Sequence, residues 1–272
     1  METTSSKLET SPTKLNNKQT TIRLLRHATL VIEINGRKLL IDPMLSAKDA
    51  LDPVQNCGNE TRIPMVELPI DGDGMGQLLA EVDAVVITHL HRDHWDTAAQ
   101  KLIDRNQMIF CQPNDLDKIQ GEGFKNVRSI DSDIEWQGIK IHRTKGQHGT
   151  GDIGKKMGEV SGFIFLYRNT SIYLAGDTIW CADVENVLLE FKPVVTIVNA
   201  GGAKFLTGDP ITMTPTDIIK VHSTLHETKI IAVHMDTVNH CFNTRVDLFN
   251  ELSEKNLASK VMIPKDGEII EL

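Results

Sequence analysis

Thr88-His89-Leu90-His91-Arg92-Asp93-His94-Trp95-Asp96 follows directly on an apolar, strand-like run, Asp83-Ala84-Val85-Val86-Ile87. Three imidazoles and two carboxylates fall in those nine residues. These are the groups that hold borderline divalent metals such as zinc, manganese or iron. His89 and His91 are two apart, so on an extended segment both point the same way and can grip one ion. Asp93 and His94 come where the chain should turn, within reach of a second ion beside the first. A solvated polar turn is the plainer reading, but this order of ligands at the end of a buried strand argues for a metal centre.

Three later segments carry ligand-type side chains at or just beyond strand ends. His148 sits in Lys145-Gly146-Gln147-His148-Gly149-Thr150-Gly151, Asp177 closes Ile172-Tyr173-Leu174-Ala175-Gly176-Asp177, and His234 ends Lys229-Ile230-Ile231-Ala232-Val233-His234. Burial stops at strand ends, so one polar residue there says little; the order and flanks of these three say more. His-x-His-x-Asp-His after an apolar strand, then a lone histidine, an aspartate and a final histidine, resembles the signature of the metallo-β-lactamase-fold superfamily. The hairpin from Arg26-His27-Ala28-Thr29-Leu30 to Leu39-Leu40-Ile41-Asp42-Pro43 is similar to that family's first hairpin, so the resemblance spans roughly residues 22–264. It implies an α+β fold, a four-layer αββα sandwich with the metal site at the sheet edge.

The same resemblance implies that His89, His91 and His148 hold one metal, that Asp93, His94 and His234 hold a second, and that Asp177 bridges them. The implied cofactor is two divalent metal ions, zinc or manganese, with iron also admitted by such ligands. The nucleophile would be a metal-bound hydroxide, because one catalytic zinc can bring the pKa of a bound water from ~15.7 to ~7. Asp93 is the catalytic candidate, moving a proton toward the leaving group. Flavodiiron members carry glutamate where this chain has His91, and class B1 β-lactamases use cysteine where the matching strand end is Asp177; both branches fit poorly.

Gly146 to Gly151, Met157-Gly158-Glu159-Val160-Ser161-Gly162 and Asn199-Ala200-Gly201-Gly202-Ala203 are similar to the L-ascorbate-6-phosphate lactonase-like branch. That branch implies a metal-dependent hydrolase of a lactone, ester or phosphodiester. The competing readings are a mononuclear iron dioxygenase of the persulfide dioxygenase type and a non-catalytic metal-binding sensor.

Other side chains are weighed separately. His27 and His240 are read as substrate-binding, against packed strand or loop histidines. His142 reads as a strand-end surface residue. His222 and His226, spaced i, i+4, read as an ordinary helix face. Trp95 packs the motif loop, and Lys204 and Arg245 read as solvated cations. Gly146, Gly149 and Gly151 suit either a backbone passing close to metal or a plain turn.

The 272 residues are 40% hydrophobic, enough for a sizeable core, and carry a formal charge of -8. That charge disfavours a nucleic-acid partner, leaving a small-molecule substrate as the expected partner and a homo-oligomer as an open alternative. The four cysteines, Cys57, Cys111, Cys181 and Cys241, form no Cys-x-x-Cys pair, which fits reduced thiols in a cytoplasmic protein. No apolar run approaches the ~20 residues of a membrane span. Residues 1–20 read as a flexible tail and 21–272 as a single domain.

Strands are expected at 21–25, 29–34, 38–41, 108–111, 139–142, 162–167, 172–175, 194–198 and 230–233, with Asn35-Gly36 closing a tight hairpin. Helices are expected at 96–104, 114–120, 183–190, 214–225 and 244–252. The long connection 44–76, rich in Pro, Gly, Asp and Asn, is expected to roof the metal site.

Overall fold

The computed structural model describes residues 19–272, so most of the expected tail over 1–20 lies outside the described residues. β1 (Thr21–Arg26), β2 (Thr29–Ile34) and β3 (Arg37–Ile41) form an antiparallel meander. Its second turn is Asn35-Gly36, both at positive φ (52 and 69), the backbone that lets a two-residue hairpin match strand twist. β4 (Ala84–Val86), β5 (Met108–Cys111) and β6 (Val127–Ser129) then add in parallel. The last strand, β14 (Ile269–Glu271), returns to pair antiparallel with β1, giving the order β14-β1-β2-β3-β4-β5-β6.

The second half repeats this plan, although no repeat is legible in its residues. β7 (Asp133–Trp136), β8 (Ile139–Lys145), β9 (Ser161–Tyr167) and β10 (Thr170–Leu174) are antiparallel. β11 (Val195–Asn199), β12 (Lys229–Val233) and β13 (Val261–Met262) extend the sheet in parallel. Parallel strands need long crossovers, and helices supply them: α1 (Gly72–Glu81), α2 (Thr97–Leu102) and α3 (Leu116–Gly121) in the first half, then α5 (Ala182–Phe191), α6 (Pro215–Thr224) and α7 (Arg245–Glu254), while α4 (Gly151–Met157) lies in the connection between antiparallel β8 and β9.

Three buried clusters define the layers. Leu24, Ile32, Ile41 and Val86 of one sheet meet Phe163, Phe165, Leu174 and Ile197 of the other. The outer face of the first sheet, with Val31, Leu40, Val85 and Ile109, is covered by Met75 and Leu78 of α1, Ala99 of α2 and Ile119 of α3. The outer face of the second, with Ile164, Tyr173, Val198 and Ile230, is covered by Val184 and Leu188 of α5, Ile218 and Val221 of α6 and Leu248 and Leu252 of α7. Helix, sheet, sheet and helix therefore stack as the expected four-layer sandwich of the metallo-β-lactamase fold.

Helix starts are set by caps. Asp96 accepts from Ala99 N at the head of α2, and Thr214 with Asp217 and Thr244 with Asp247 form capping boxes at α6 and α7, each satisfying free N–H groups of the first turn. The connection 44–76 is not all loop: α1 begins at Gly72, capped by Asp71, whose side chain accepts from Gly74 N. The fully buried Arg26 guanidinium ties the rest down, donating to the carbonyls of Met44 (2.8 Å), Ser46 (2.8 Å) and Val66 (2.9 Å).

One buried acid lies outside that clamp. Asp115, just before α3, is 9% exposed and its Oδ2 has no partner; burial pushes its pKa up to about 6. An acid raised in the folded state adds stability that is full below its unfolded pKa, near 4, and lost as pH rises through about 6. Asp115→Asn is therefore expected to melt higher than the parent at pH 8, by about 1–3 kcal/mol of unfolding free energy. The gap should close near pH 4, and a difference that is flat from pH 4 to 8 in paired denaturant titrations would contradict this.

Candidate metal centre

The candidate side chains leave the sandwich at one edge, where strands end. Thr88 to His94 follow β4, His148 follows β8, Asp177 follows β10, His234 follows β12, His27 follows β1 and Asp42 follows β3. The two sheets are stitched there by His234 N–H donating to the His27 carbonyl (2.9 Å) and Ser161 N–H to that of Thr88 (3.3 Å). The turn that presents His148 needs glycine at 149: its φ is +94, and a Cβ would lie 2.8 Å from Ile211 Cγ2.

Three overlapping groups of ligand atoms result: His89, His91 and His148; Asp93, His94 and His234 together with His27; and His89, His94 and Asp177. Asp177 lies between them. Its Oδ2 is 3.3 Å from His94 Nε2, 3.5 Å from His148 Nε2 and 3.8 Å from His89 Nε2, while Oδ1 is 3.3 Å from His234 Nε2. All seven residues expected as ligands are thus brought together at one edge, with His89 and His94, expected on different ions, also sharing a group with Asp177. His27 is the addition. It is fully buried, 3.1 Å from Asp93 Oδ2, with its ring 3.6 Å from that of His234. It sits with the second group of ligand atoms and not among the residues that line the cleft.

Hydrogen bonds fix which ring nitrogens face inward. His148 Nδ1 is 2.7 Å from the Ile211 carbonyl, which only accepts, so Nδ1 carries the proton. His94 Nδ1 is 2.8 Å from Asp42 Oδ2 and is fixed the same way. Thr88 spends its one hydroxyl proton on Asp42 Oδ2 (2.7 Å) and can only accept from His89 Nδ1 at 3.0 Å. All three rings therefore carry a proton on Nδ1 and aim Nε2 at the centre, so that each neutral ring would present an Nε2 lone pair to a metal. His94 Nε2 faces His234 Nε2 at 3.2 Å, and His89 Nε2 faces His91 Nδ1 at 2.9 Å. Converging lone pairs at such distances call for a cation between them, and the nitrogen and carboxylate donor set fits a borderline divalent ion.

The electrostatics mark the centre as a place for positive charge, held as a proton on His94 when no ion is bound. Burial works to lower the His94 imidazole, but Asp177, Asp93 and Asp42 together outweigh it and hold it well above its ordinary value. Burial likewise works against ionised Asp93 and Asp177, yet the surrounding histidines hold both well below the usual carboxylate range. Burial and neighbouring imidazoles lower His89, and burial lowers His148 and takes His27 down to about 3.

The centre opens onto a cleft of about 450 Å³, walled by His91, Arg92, His148, Met157, Phe205, Ile211 and His240 and roofed by Asp52 to Gln55. The connection 44–76 thus covers the centre as expected, and His240 is on the wall. The remaining weighed residues stay outside it. Trp95 donates to Glu122 Oε2 (2.8 Å) and packs on Phe124. Lys204 lies over the Phe242 ring, His142 packs on Phe191, and His222 pairs with His226. Arg245 is engaged by Asp236, Asp266 and the Pro264 carbonyl, so it is not the solvated cation expected.

Sequence reasoning missed two supporting residues, Asp42 and Asn199, whose Nδ2 donates to Asp177 Oδ1 at 2.6 Å. Among the described residues no helix is long and apolar enough to cross a membrane.

Known proteins share this plan. The profile of the beta-lactamase superfamily domain matches residues 21–234. The UPF0173 protein YddR of Bacillus subtilis is 36% identical over 251 residues, covering 91% of this chain and 98% of its own. A UPF0173 metal-dependent hydrolase of Thermofilum pendens is 25% identical over 92% of this chain and 98% of its own. A possible metal-dependent hydrolase from Veillonella parvula superposes with a TM-score of 0.90 at 39% identity, covering 94% of this chain and 100% of that one. An isothiocyanate hydrolase from Delia radicum gut bacteria superposes at 0.87 with 36% identity, covering 93% and 99%. Matched over nine-tenths of its length by such relatives and carrying their fold around a histidine–aspartate cluster, the chain belongs to the beta-lactamase superfamily and, within it, to the UPF0173 metal-dependent hydrolases.

Proposed function

We propose that this hydrolase cleaves a small uncharged electrophile, an isothiocyanate in the first instance, at a centre of two divalent ions. The carrying observation is the cleft: ligand atoms at its floor, Met157, Phe205, Ile211, Pro53 and Val54 on its sides, and Arg92 as its one lasting cation. Beyond the ions themselves, Arg92 alone would meet the charge of a phosphodiester. The relative of 36% identity that is named an isothiocyanate hydrolase supports the heterocumulene. A lactone or ester is the second reading, favoured by a cleft of about 450 Å³ with room for a ring.

In this reading His89, His91 and His148 would hold one ion, Asp93, His94 and His234 with His27 beside them would hold the other, and Asp177 would serve both. When bound, the ions supply Lewis acidity and an acidified water. The chain does the rest. Asp93, steadied by His27, takes a proton from the attacking water and passes it to the leaving nitrogen or oxygen. The apolar walls exclude competing water and align the reacting carbon. One water then accounts for the products of an isothiocyanate, its oxygen ending on carbonyl sulfide and both hydrogens on the amine.

The test is a hydrolysis screen of alkyl isothiocyanates, lactones, thioesters and phosphodiesters, with protein loaded in parallel with zinc, manganese or iron. Isothiocyanate or lactone turnover is expected, and His91→Ala should lose at least about 100-fold of it. Oxygen consumption with iron alone would instead favour the dioxygenase reading, and a His91→Ala variant at full rate would remove the assigned centre.

A further inference from the structure

His240 shows a combination found nowhere else on the cleft wall. It is 7% exposed, lines the cleft, and has a buried Nδ1 with no hydrogen-bond partner. Its Nε2 is the ring's accessible nitrogen and bonds to nothing among the described residues. The backbone is pinned on both sides. Lys204 N–H donates to the His240 carbonyl at 3.0 Å. Asn239 accepts from Val54 N–H (2.8 Å) and donates to the Val54 carbonyl (3.0 Å), tying the roof to this segment. Phe205 flanks the ring, centroids 6.1 Å apart. So rigid a placement of an unsatisfied imidazole is unexplained by packing.

The tautomer follows from those contacts. Burying an unmet N–H is rarer than burying an unmet acceptor. That preference places the proton on Nε2.

Resting on the hydrolytic reading above, we propose that His240 is a neutral, substrate-facing hydrogen-bond donor. Its Nε2–H meets the heteroatom on which negative charge gathers, the sulfur of an isothiocyanate or the carbonyl oxygen of an ester. Burial, helped by His234 and His148 and opposed by Asp93 and Asp177, takes the imidazole down to about 4, so the ring stays a donor and never becomes a cation in the neutral range. A donor built this way loses nothing to reorganisation when charge develops.

The experiment uses the metal-loaded full chain labelled with ¹⁵N in its imidazoles, the His240 signals being identified by their loss in His240→Gln. Two-bond proton–nitrogen spectra should give an Nε2–H pattern unchanged from pH 5.5 to 8.5. Thiocyanate, a linear N–C–S probe, should shift that Nε2 signal. Kinetically, His240→Phe should lose about 100-fold in kcat/KM with metal content unchanged, and His240→Gln, which keeps an N–H, should recover to within about tenfold of the parent. An Nδ1–H pattern, a titration midpoint near 6.5, a silent response to thiocyanate, or a His240→Phe variant within about twofold of the parent would each overturn the assignment. If no substrate in the screen turns over, the hydrolytic reading fails while the spectra still decide the tautomer and the donor.

Discussion

Asp177→Ala is expected to lower kcat/KM by at least about a thousandfold and to strip the centre of most of its metal. The reason is placement. Asp177 Oδ2 faces the Nε2 atoms of His89, His94 and His148 while Oδ1 faces that of His234, so one carboxylate serves both sides. Asp93 and Asp177 are also the only carboxylates among the three ligand groups. Removing Asp177 halves the negative charge that would balance two dications. Asp177→Asn separates charge from shape. The amide fills the same space, but one of its ends must set an N–H against either Asn199 Nδ2, now 2.6 Å from Oδ1, or the imidazole lone pairs. The amide also loses the attraction between the Asp177 carboxylate and the imidazoles of His234 and His94, which outweighs burial and holds that carboxyl well below its usual range in the metal-free protein. The Asn variant should therefore fold, melt in chelator below the parent's temperature, and bind less than half the parent's metal by elemental analysis. Full metal occupancy with activity within tenfold of the parent would show that Asp177 is not shared between the two sides.

The candidate ligands are legible in the sequence because they sit where local pattern is strongest. His89, His91, Asp93 and His94 follow one apolar run, and His148, Asp177 and His234 each close or follow a strand whose alternation or apolar run marks it. Where a residue works through a partner far along the chain, nothing local marks it. Asp42 meets His94 across 52 positions and Asn199 meets Asp177 across 22; before the sheets assemble these read as a strand stop and a turn. The place of His27 is hidden for the same reason, since the pairing of its carbonyl with His234 N–H joins the ends of β1 and β12 only in the folded chain. Two helices escaped for a different reason. α1 opens Gly72-Asp73-Gly74, which reads as loop until Asp71 caps it and Met75 and Leu78 find the first sheet. α4 buries no residue at all, so it has no apolar stripe to detect.

Asp42 yields the second large effect, and here stability and metal binding should come apart. The side chain is 1% exposed. It accepts from Thr88 N–H (2.7 Å), the Thr88 hydroxyl (2.7 Å) and His94 Nδ1–H (2.8 Å), at a φ of +41 that few residues other than Asp, Asn and Gly adopt readily. Asp42→Ala leaves three buried donors unmet in a strained backbone, which should cost about 3–5 kcal/mol and lower the melting temperature by roughly 10 °C. Asp42→Asn keeps the backbone preference and one acceptor for Thr88 N–H, so its thermal loss should be under half as large. Its amide nitrogen, however, replaces the oxygen that His94 Nδ1–H addresses. The ring must then accept at Nδ1 and carry its proton on Nε2, the atom that faces His234 and Asp177. A protonated Nε2 cannot ligate. Affinity at the His94 side should fall about 10- to 100-fold, read as loss of one of two metal equivalents in a competitive chelator titration, with the His148 side retained. If the Asn variant binds both equivalents as tightly as the parent, the tautomer of His94 is not set by Asp42. If both variants lose stability equally, the carboxylate acts through fold alone.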